Sequence, residues 1–125
     1  MAKRVVFIAF AIEDKTQRDF LTGQSLNTKT PFEFIDMSVK EPYDTDWKNR
    51  VRTRIRRSDG VIALVSKNTL ISTGEQWEIT CAKEEGKKLT GLWAYKEDRT
   101  TPSSLSGYPI IAWTWEGIAA FIDSL

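Results

Sequence analysis

Two uninterrupted apolar segments dominate the pattern of the chain, Val5–Ala11 and Val61–Val65. A strand that helices cover on both faces has this pattern, because neither face needs polar side chains. Three further apolar segments, Phe32–Met37, Leu89–Tyr95 and Pro109–Trp113, complete a series of five predicted strands. Acidic residues interrupt the first of these three, which is typical of an edge strand. The pattern therefore predicts a sheet with the two uninterrupted segments at its centre.

Helices are predicted between these strands. Trp47, Val51 and Ile55 recur at every fourth position and form one apolar stripe of a helix. The segment Ser38–Asp46, which contains Pro42, is polar and is predicted to be a loop. The remaining helices are predicted over residues 14–24, with Asp14 as the cap, over 75–85, with Gly86 as the stop, and over 115–125.

Strands that alternate with helices predict parallel βαβ units with right-handed crossovers. This count of elements predicts an α/β, flavodoxin-like three-layer fold with a five-stranded parallel sheet in the order 2-1-3-4-5. In that order strands 1 and 3 are neighbours, and their crossovers leave in opposite directions. A crevice is expected beyond their carboxyl ends, between the loops Phe10–Asp14 and Ser66–Gly74.

Composition places the chain among ordinary globular proteins. Its 125 residues, 41% hydrophobic and 28% charged, predict a single domain over residues 1–125. A net charge of +1 does not point to nucleic acid or to a membrane, and no apolar run approaches the roughly 20 residues of a membrane span. A start without a signal-peptide pattern and a single cysteine, Cys81, predict a cytoplasmic protein without an intramolecular disulfide.

The absence of histidine excludes several kinds of chemistry. Catalytic systems that pair a nucleophile with histidine are ruled out, and one cysteine without histidine makes a zinc site improbable, so no metal is expected. Neither a P-loop nor a dinucleotide-binding glycine motif is present. The segment Ala11–Asp14 has no glycine and two acidic residues, so it does not fit a flavin phosphate loop. Lys67 follows the third predicted strand where a phosphate-accepting receiver needs a carboxylate.

The start of the third predicted helix lies next to the expected crevice. Glu78 stands near its first turn, where a carboxylate is also favoured simply by the helix dipole. Trp77 is expected either at the crevice or in the core. The other acidic residues of this helix are expected on its solvated face: Glu75, Glu84 and Glu85.

Two stretches resemble a known family. The sequence Val-Phe-Ile-Ala-Phe-Ala-Ile-Glu-Asp of residues 6–14 is similar to the opening of TIR and TIR-like domains. Gly60–Thr69, followed by Ser72 and by Trp77-Glu78-Ile79, resembles their third strand and catalytic helix. From about Arg4 to its end the chain resembles the TIR-like domain of the bacterial Thoeris antiphage system, the ThsB family.

This resemblance implies a function. In that family a glutamate on the helix cleaves NAD+, and Glu78 occupies its position. The residues that the resemblance places in the NAD+ pocket are Phe10, Ala11, Asp14, Ser66 and Ser72. Many TIR enzymes carry a tryptophan four residues before the glutamate, where this chain has Gly74. Trp77 either supplies that ring instead or packs in the core.

The chemistry of NAD+ suits a chain without histidine. Nicotinamide is cationic before the bond breaks and neutral afterwards, so it leaves without a general acid, and one carboxylate can stabilise the ribosyl cation. NAD+ is then a substrate, and no cofactor is expected. The resemblance further implies a cyclic ADP-ribose product that activates a separate effector protein, and self-association that completes the site. Two alternatives stay open: a scaffold acting only through protein contacts, and an enzyme like the nucleoside deoxyribosyltransferases.

The second predicted helix, over residues 47–57, is strongly basic. Its cationic residues are Lys48, Arg50, Arg52, Arg54, Arg56 and Arg57. They predict either a solvated face or a surface for assembly or anion binding. On the second hypothesis, reversing the charge of Arg52 and Arg56 weakens self-association or partner binding and leaves the fold intact.

Overall fold

The computed structural model describes residues 3–38 and 46–125. Within them, five parallel strands form one sheet in the order β2-β1-β3-β4-β5, which confirms the predicted fold class. The strands are β1 (Arg4–Ala9), β2 (Phe34–Asp36), β3 (Gly60–Val65), β4 (Lys88–Trp93) and β5 (Ile110–Ile111). Most of the predicted loop over residues 38–46 lies outside the described residues, as do Met1 and Ala2.

Four α-helices follow from the described part of the chain. They are α1 (Lys15–Leu26), α2 (Trp47–Arg56), α3 (Thr73–Glu84) and α4 (Trp115–Asp123). Short 3₁₀ helices stand at Ile12–Asp14, Lys67–Leu70 and Ser103–Leu105. Among the described residues, no helix has the length and apolar character that crossing a membrane requires.

The helices cover both faces of the sheet. On β1, the alternate residues Val6 and Ile8 pack with Leu21 of α1 and Ile118 of α4. Phe7 of the same strand packs on the opposite face, with α2 and α3. Every residue of β3 is buried, so the uninterrupted apolar pattern does mark a strand enclosed by helices.

Edge strands and helix ends differ most from the sequence prediction. β2 and β5 are each shorter than predicted, because a strand with one neighbour loses its regular pairing wherever that neighbour turns away. α3 begins earlier than predicted, at Thr73, because Ser72 caps it. It ends as predicted before Gly86, whose φ of 67° is a conformation that favours glycine.

The predicted capping role of Asp14 is wrong. Asp14 does occupy the position before α1, but its side chain makes no capping hydrogen bond. Its carboxylate is turned toward the loops that follow β3 and β4 instead. Local sequence suggests a cap at this position, whereas donors from distant parts of the chain determine where the side chain points.

Candidate functional site

The candidate site lies at the carboxyl edge of the sheet, where β1 and β3 run side by side. Ala9 of β1 pairs with Ala63 of β3. Beyond them the chain enters α1 on one face and the start of α3 on the other, since α1 packs with one core cluster and α3 with the other. This is the geometry at which ligands bind in open α/β sheets.

A buried carboxylate joins three loops at this edge. Asp14 is fully buried, and its Oδ2 accepts a hydrogen bond from the hydroxyl of Ser66 at 2.6 Å. Its Oδ1 accepts from the side-chain amide of Asn68 at 2.9 Å and from the hydroxyl of Tyr95 at 2.8 Å. These four residues, the Asp14 network, connect the segments that follow β1, β3 and β4. Such donors offset the large cost of removing a carboxylate from water.

Tyr95 is a permanent donor in this network. Burial, together with its hydrogen bond to the Asp14 carboxylate, raises the pKa of the Tyr95 hydroxyl to about 12. The hydroxyl is therefore protonated at neutral pH. Tyr95 as a whole is 38% exposed, so the residue is anchored at its polar end and partly open to solvent.

Serine caps organise the polypeptide between β3 and α3. The Ser66 hydroxyl accepts from the backbone N–H of Asn68 at 3.0 Å, and the Ser66 N–H donates to the Thr69 hydroxyl at 3.1 Å. This reciprocal pair starts the 3₁₀ helix Lys67–Leu70. Ser72 then starts α3, because its hydroxyl accepts from the N–H of Glu75 at 3.1 Å.

Two glutamates in the first turns of α3 are buried. Glu78 is 4% exposed and Glu75 is 0% exposed, so the expectation that Glu75 is solvated is wrong. Both lie on one helical stripe with Ile79 and Ala82, which pack in the core beneath α3. The stripe that buries apolar residues along most of the helix thus carries carboxylates at its amino-terminal end. There the helix dipole favours negative charge.

Trp77 lies away from the Asp14 network. Its ring packs edge-to-face against Trp47 of α2, with ring centroids 5.3 Å apart. The guanidinium of Arg52 lies 5.5 Å and the ammonium of Lys48 lies 5.7 Å from the centre of the Trp77 ring. This position favours the packing interpretation of Trp77. Gly74, where the tryptophan of many TIR enzymes stands, is buried.

The two remaining predicted pocket residues lie directly after β1. Phe10 is buried in the core beneath α1 and α4, and the guanidinium of Arg18 lies 5.0 Å from its ring centre. Ala11 is buried, and its carbonyl accepts from the N–H of Asp14 at 2.8 Å. The structure thus brings Ala11, Asp14 and Ser66 together, while Phe10 lines the core beside them.

The basic helix α2 is bound to α3 within the same chain. Arg52 contacts Glu84 at 2.8 Å and Glu85 at 2.7 Å, and Arg56 contacts Glu85 at 2.8 Å. With Trp47, Trp77 and Lys48, these residues form what we call the α2–α3 seam. Reversing the charge of Arg52 and Arg56 would therefore also break these intramolecular ion pairs. That the double change leaves the fold intact and weakens self-association stays a prediction. Glu85 is likewise paired rather than freely solvated.

Charge and burial shift two pKa values at the seam. Hydrogen bonds from Arg56 and Arg52 lower the pKa of Glu85 below its ordinary range. Burial raises the pKa of the Cys81 thiol to about 11. Cys81 is therefore an unreactive thiol at neutral pH.

A cavity opens beside the Asp14 network. It has a volume of about 580 Å³ and lies between the 3₁₀ helix after β3 and the loop after β4. Its lining residues are Lys67, Asn68, Tyr95, Glu97, Asp98, Arg99 and Thr100. A second cavity, of about 650 Å³, is lined by residues at the opposite edge of the sheet, among them Arg4 and Phe32. Among the described residues, no group of three or more potential ligands is placed to hold a metal ion.

Asn68 and Tyr95 were not identified from the sequence. Both follow strands whose carboxyl ends border the crevice, and that position was the signal available. Their hydrogen bonds to Asp14 join residues 54 and 81 positions apart, which no local pattern reveals.

The comparisons with known proteins agree with this architecture. A search of curated proteins finds no match. A family model described as "Thoeris protein ThsB, TIR-like domain" matches residues 7–99. The matched region runs from β1 through β4 and includes the Asp14 network and Glu78. Since the match covers most of the chain, this protein belongs to the family of Thoeris ThsB TIR-like domains.

Proposed function

We propose that this chain acts in Thoeris antiphage defence by cleaving NAD+ at the nicotinamide–ribose bond, with Glu78 as the catalytic carboxylate. The product is a cyclic ADP-ribose isomer that activates a separate effector protein. The observation that carries the proposal is the burial of Glu78, 4% exposed, on the helix that begins at the switch point of the sheet. Burying a carboxylate is costly, and buried charged groups concentrate at functional sites.

The bond cleavage needs little from the protein beyond a placed negative charge. The bond between the ribose C1′ and the nicotinamide nitrogen breaks, and its electron pair goes to that nitrogen, which becomes neutral. The ribosyl group becomes an oxocarbenium ion. The carboxylate of Glu78 stabilises this ion because it lies in a site largely screened from water.

Capture of the cation determines the product. When an adenine nitrogen or a ribose hydroxyl of the same molecule attacks C1′, the nucleophile forms the new bond and releases a proton, and the product is cyclic. Attack by water gives linear ADP-ribose. Cyclisation therefore requires that the substrate be folded and that water be kept out.

The Asp14 network serves the reaction by fixing the site in advance. Asp14 holds the loops after β1, β3 and β4 together through hydrogen bonds to its buried carboxylate. The side-chain amide of Gln76 on α3 donates to the carbonyls of Thr69 and Leu70, each at 2.9 Å. The helix that carries Glu78 is thereby tied to the same loops, and electrostatic catalysis depends on such preorganisation.

The test is incubation of concentrated protein with NAD+, followed by mass-resolved chromatography of the products. We expect nicotinamide together with a species of the mass of cyclic ADP-ribose. A parallel incubation with a deoxynucleoside and a free base addresses the transferase alternative. Base exchange there, without nicotinamide release from NAD+, would replace our proposal by that alternative. No turnover of either substrate in concentrated protein or in the presence of an inducing partner would support the scaffold alternative.

A further inference from the structure

We propose that the cavity beside Tyr95 is a nucleotide subsite in which the Tyr95 ring stacks on adenine and Lys67 and Arg99 face the phosphates. We call this space the Tyr95 cavity. The identification of the base as the adenine of NAD+ rests on the proposed function, whereas nucleotide binding itself does not. A volume of about 580 Å³ lies within the usual range of small-molecule sites, roughly 300–1,000 Å³.

Tyr95 is built as a rigid aromatic surface. Its hydroxyl is fixed to Asp14 at 2.8 Å, and the neighbouring N–H of Ala94 donates to the carbonyl of Val65 at 3.0 Å. Tyr95 lines the cavity, and the residue is 38% exposed. An exposed ring that is already held in place stacks with little loss of conformational entropy. The other large aromatic side chains that are prominently exposed among the described residues, Phe20 and Trp115, lie on α1 and α4.

Two cationic side chains, Lys67 and Arg99, line the cavity together with Tyr95. Arg99 lies 4.7 Å from the ring centre of Trp93, and its guanidinium also donates to the carbonyl of Tyr95 at 3.4 Å. The exposed Lys67 also lines the cavity. The two side chains supply cationic donors that can pair with a diphosphate.

Two acidic residues, Asp98 and Glu97, also line the cavity and equal its two cations in number. Both carboxylate oxygens of Asp98 already accept hydrogen bonds, one from the N–H of Lys67 after β3 at 2.8 Å and one from the hydroxyl of Thr100 in its own loop at 2.6 Å. These hydrogen bonds, chiefly that of Thr100, lower the pKa of Asp98. Glu97 is exposed and offers an acceptor for the exocyclic amine of adenine or for a ribose hydroxyl.

The position of Glu78 outside the Tyr95 cavity indicates that the adenine half of NAD+ binds in the cavity. Glu78 does not line the Tyr95 cavity, so the ring held there is the one remote from the bond that breaks. The 3₁₀ helix Lys67–Leu70 connects the two places, because its first residues line the cavity and its last residues accept hydrogen bonds from α3. Gly74 replaces the tryptophan of many TIR enzymes and Trp77 packs in the seam, whereas Tyr95 lines the cavity and is partly exposed.

The experiment measures binding of AMP, ADP-ribose and nicotinamide mononucleotide by titration calorimetry to wild type, Tyr95→Leu and Tyr95→Phe. Stacking of one base on an aromatic ring accounts for roughly a 5- to 150-fold change in affinity. We expect Tyr95→Leu to weaken AMP and ADP-ribose by that range and to leave nicotinamide mononucleotide unchanged. Tyr95→Phe, which keeps the ring, should stay within about threefold of wild type.

Matched controls separate binding from folding. Tyr108→Leu makes the same change at a tyrosine outside the cavity and should bind AMP as wild type does. Lys67→Ala removes a lining cation at an exposed position and should weaken ADP-ribose, whose diphosphate it contacts. Unchanged AMP affinity in Tyr95→Leu, or no AMP binding by wild type, overturns the inference.

The failures of the two proposals are distinguishable. If wild type binds AMP through Tyr95 but never releases nicotinamide, the subsite stands and the proposed function fails. If wild type releases nicotinamide and Tyr95→Leu has an unchanged KM for NAD+, the subsite fails and the proposed function stands.

Discussion

Two carboxylate networks join distant parts of this chain, and they differ in their relation to solvent. The Asp14 network is centred on a fully buried carboxylate and connects three loops at the carboxyl edge of the sheet. The ion pairs of the α2–α3 seam connect two helices at the surface, where Arg56 and Glu84 are largely exposed. Surface pairs are screened and contribute little, whereas an interrupted buried network leaves several polar groups unpaired.

The comparison shows how the fold divides its charged residues. At the seam, ion pairs between glutamate and arginine join the two helices at a small cost in desolvation. At the carboxyl edge, the buried carboxylate of Asp14 depends on donors from three loops, which favours a single arrangement of those loops. A rigid edge of this kind is what a binding site needs.

The largest effect is expected from Asp14→Asn. The amide brings donor hydrogens against the hydroxyl of Ser66 or against Asn68 and Tyr95, so buried donors lose their acceptor. We expect the free energy of unfolding to fall by about 2–4 kcal/mol, measured by urea denaturation.

Asp19→Asn is the matched control, because Asp19 is an exposed residue of α1 that forms surface ion pairs with Lys15 and Arg18. It should denature close to wild type. An Asp14→Asn protein as stable as Asp19→Asn would show that the network does not hold the loops.

A pH series isolates the contribution of Tyr95. The pKa of its hydroxyl is raised to about 12 in the folded chain, against about 10 in the unfolded chain. The stabilisation is therefore fully present below pH 10 and is lost as the pH rises toward 12. Thermal melts should show this alkaline loss in wild type and a smaller one in Tyr95→Phe. Identical alkaline profiles would remove Tyr95 from the network.

Substitutions in the α2–α3 seam should lower stability less than Asp14→Asn does. Arg52→Glu breaks contacts to Glu84 and Glu85, while Arg57→Glu makes the same charge change at an exposed residue one position after α2. We expect Arg52→Glu to lower Tm below that of Arg57→Glu at low salt. The difference should shrink in 1 M salt, because exposed charges are screened there.

Acid, like high salt, should weaken the ion pairs of the α2–α3 seam. The folded-state pKa of Glu85 is depressed, so its contribution is present above its ordinary value near 4.5 and is lost as the pH falls through the folded value. A Tm difference between the two variants that persists unchanged in high salt and in acid would contradict a surface ion-pair role.

The smallest effect concerns Cys81, which reports on the seam without changing it. Its thiol is buried and its pKa is raised to about 11. After treatment with iodoacetamide at pH 8, the mass of the native chain should be unchanged. The urea-unfolded chain should show the added mass of the modification. Rapid alkylation of the native chain would mean that the seam opens readily.

The sequence was informative wherever the hydrophobic pattern alone determines structure. The uninterrupted segments gave β1 and β3, and with them the strand order and the crevice that Asp14 and Ser66 share. β2 and β5 were predicted too long, because the length of an edge strand depends on its single neighbour.

Side-chain orientation was less predictable. Glu75 was expected in solvent because it is charged, yet its position on the stripe with Ile79 places it under α3. Asn68 and Tyr95 were missed because their shared partner is remote in sequence. The pairing of Arg52 with Glu84 and Glu85 likewise depends on how α2 and α3 pack, which composition does not encode.

The most direct test of the account is nicotinamide release by Glu78→Gln, with Glu84→Gln as the matched change at an exposed position of the same helix. Glutamine keeps the shape of the side chain and removes the charge that stabilises the ribosyl cation. We predict that Glu78→Gln melts close to wild type and releases nicotinamide about 10²–10³-fold more slowly, while Glu84→Gln keeps its activity. A Glu78→Gln protein that turns over NAD+ at the wild-type rate would contradict the assignment of Glu78 and the function built on it.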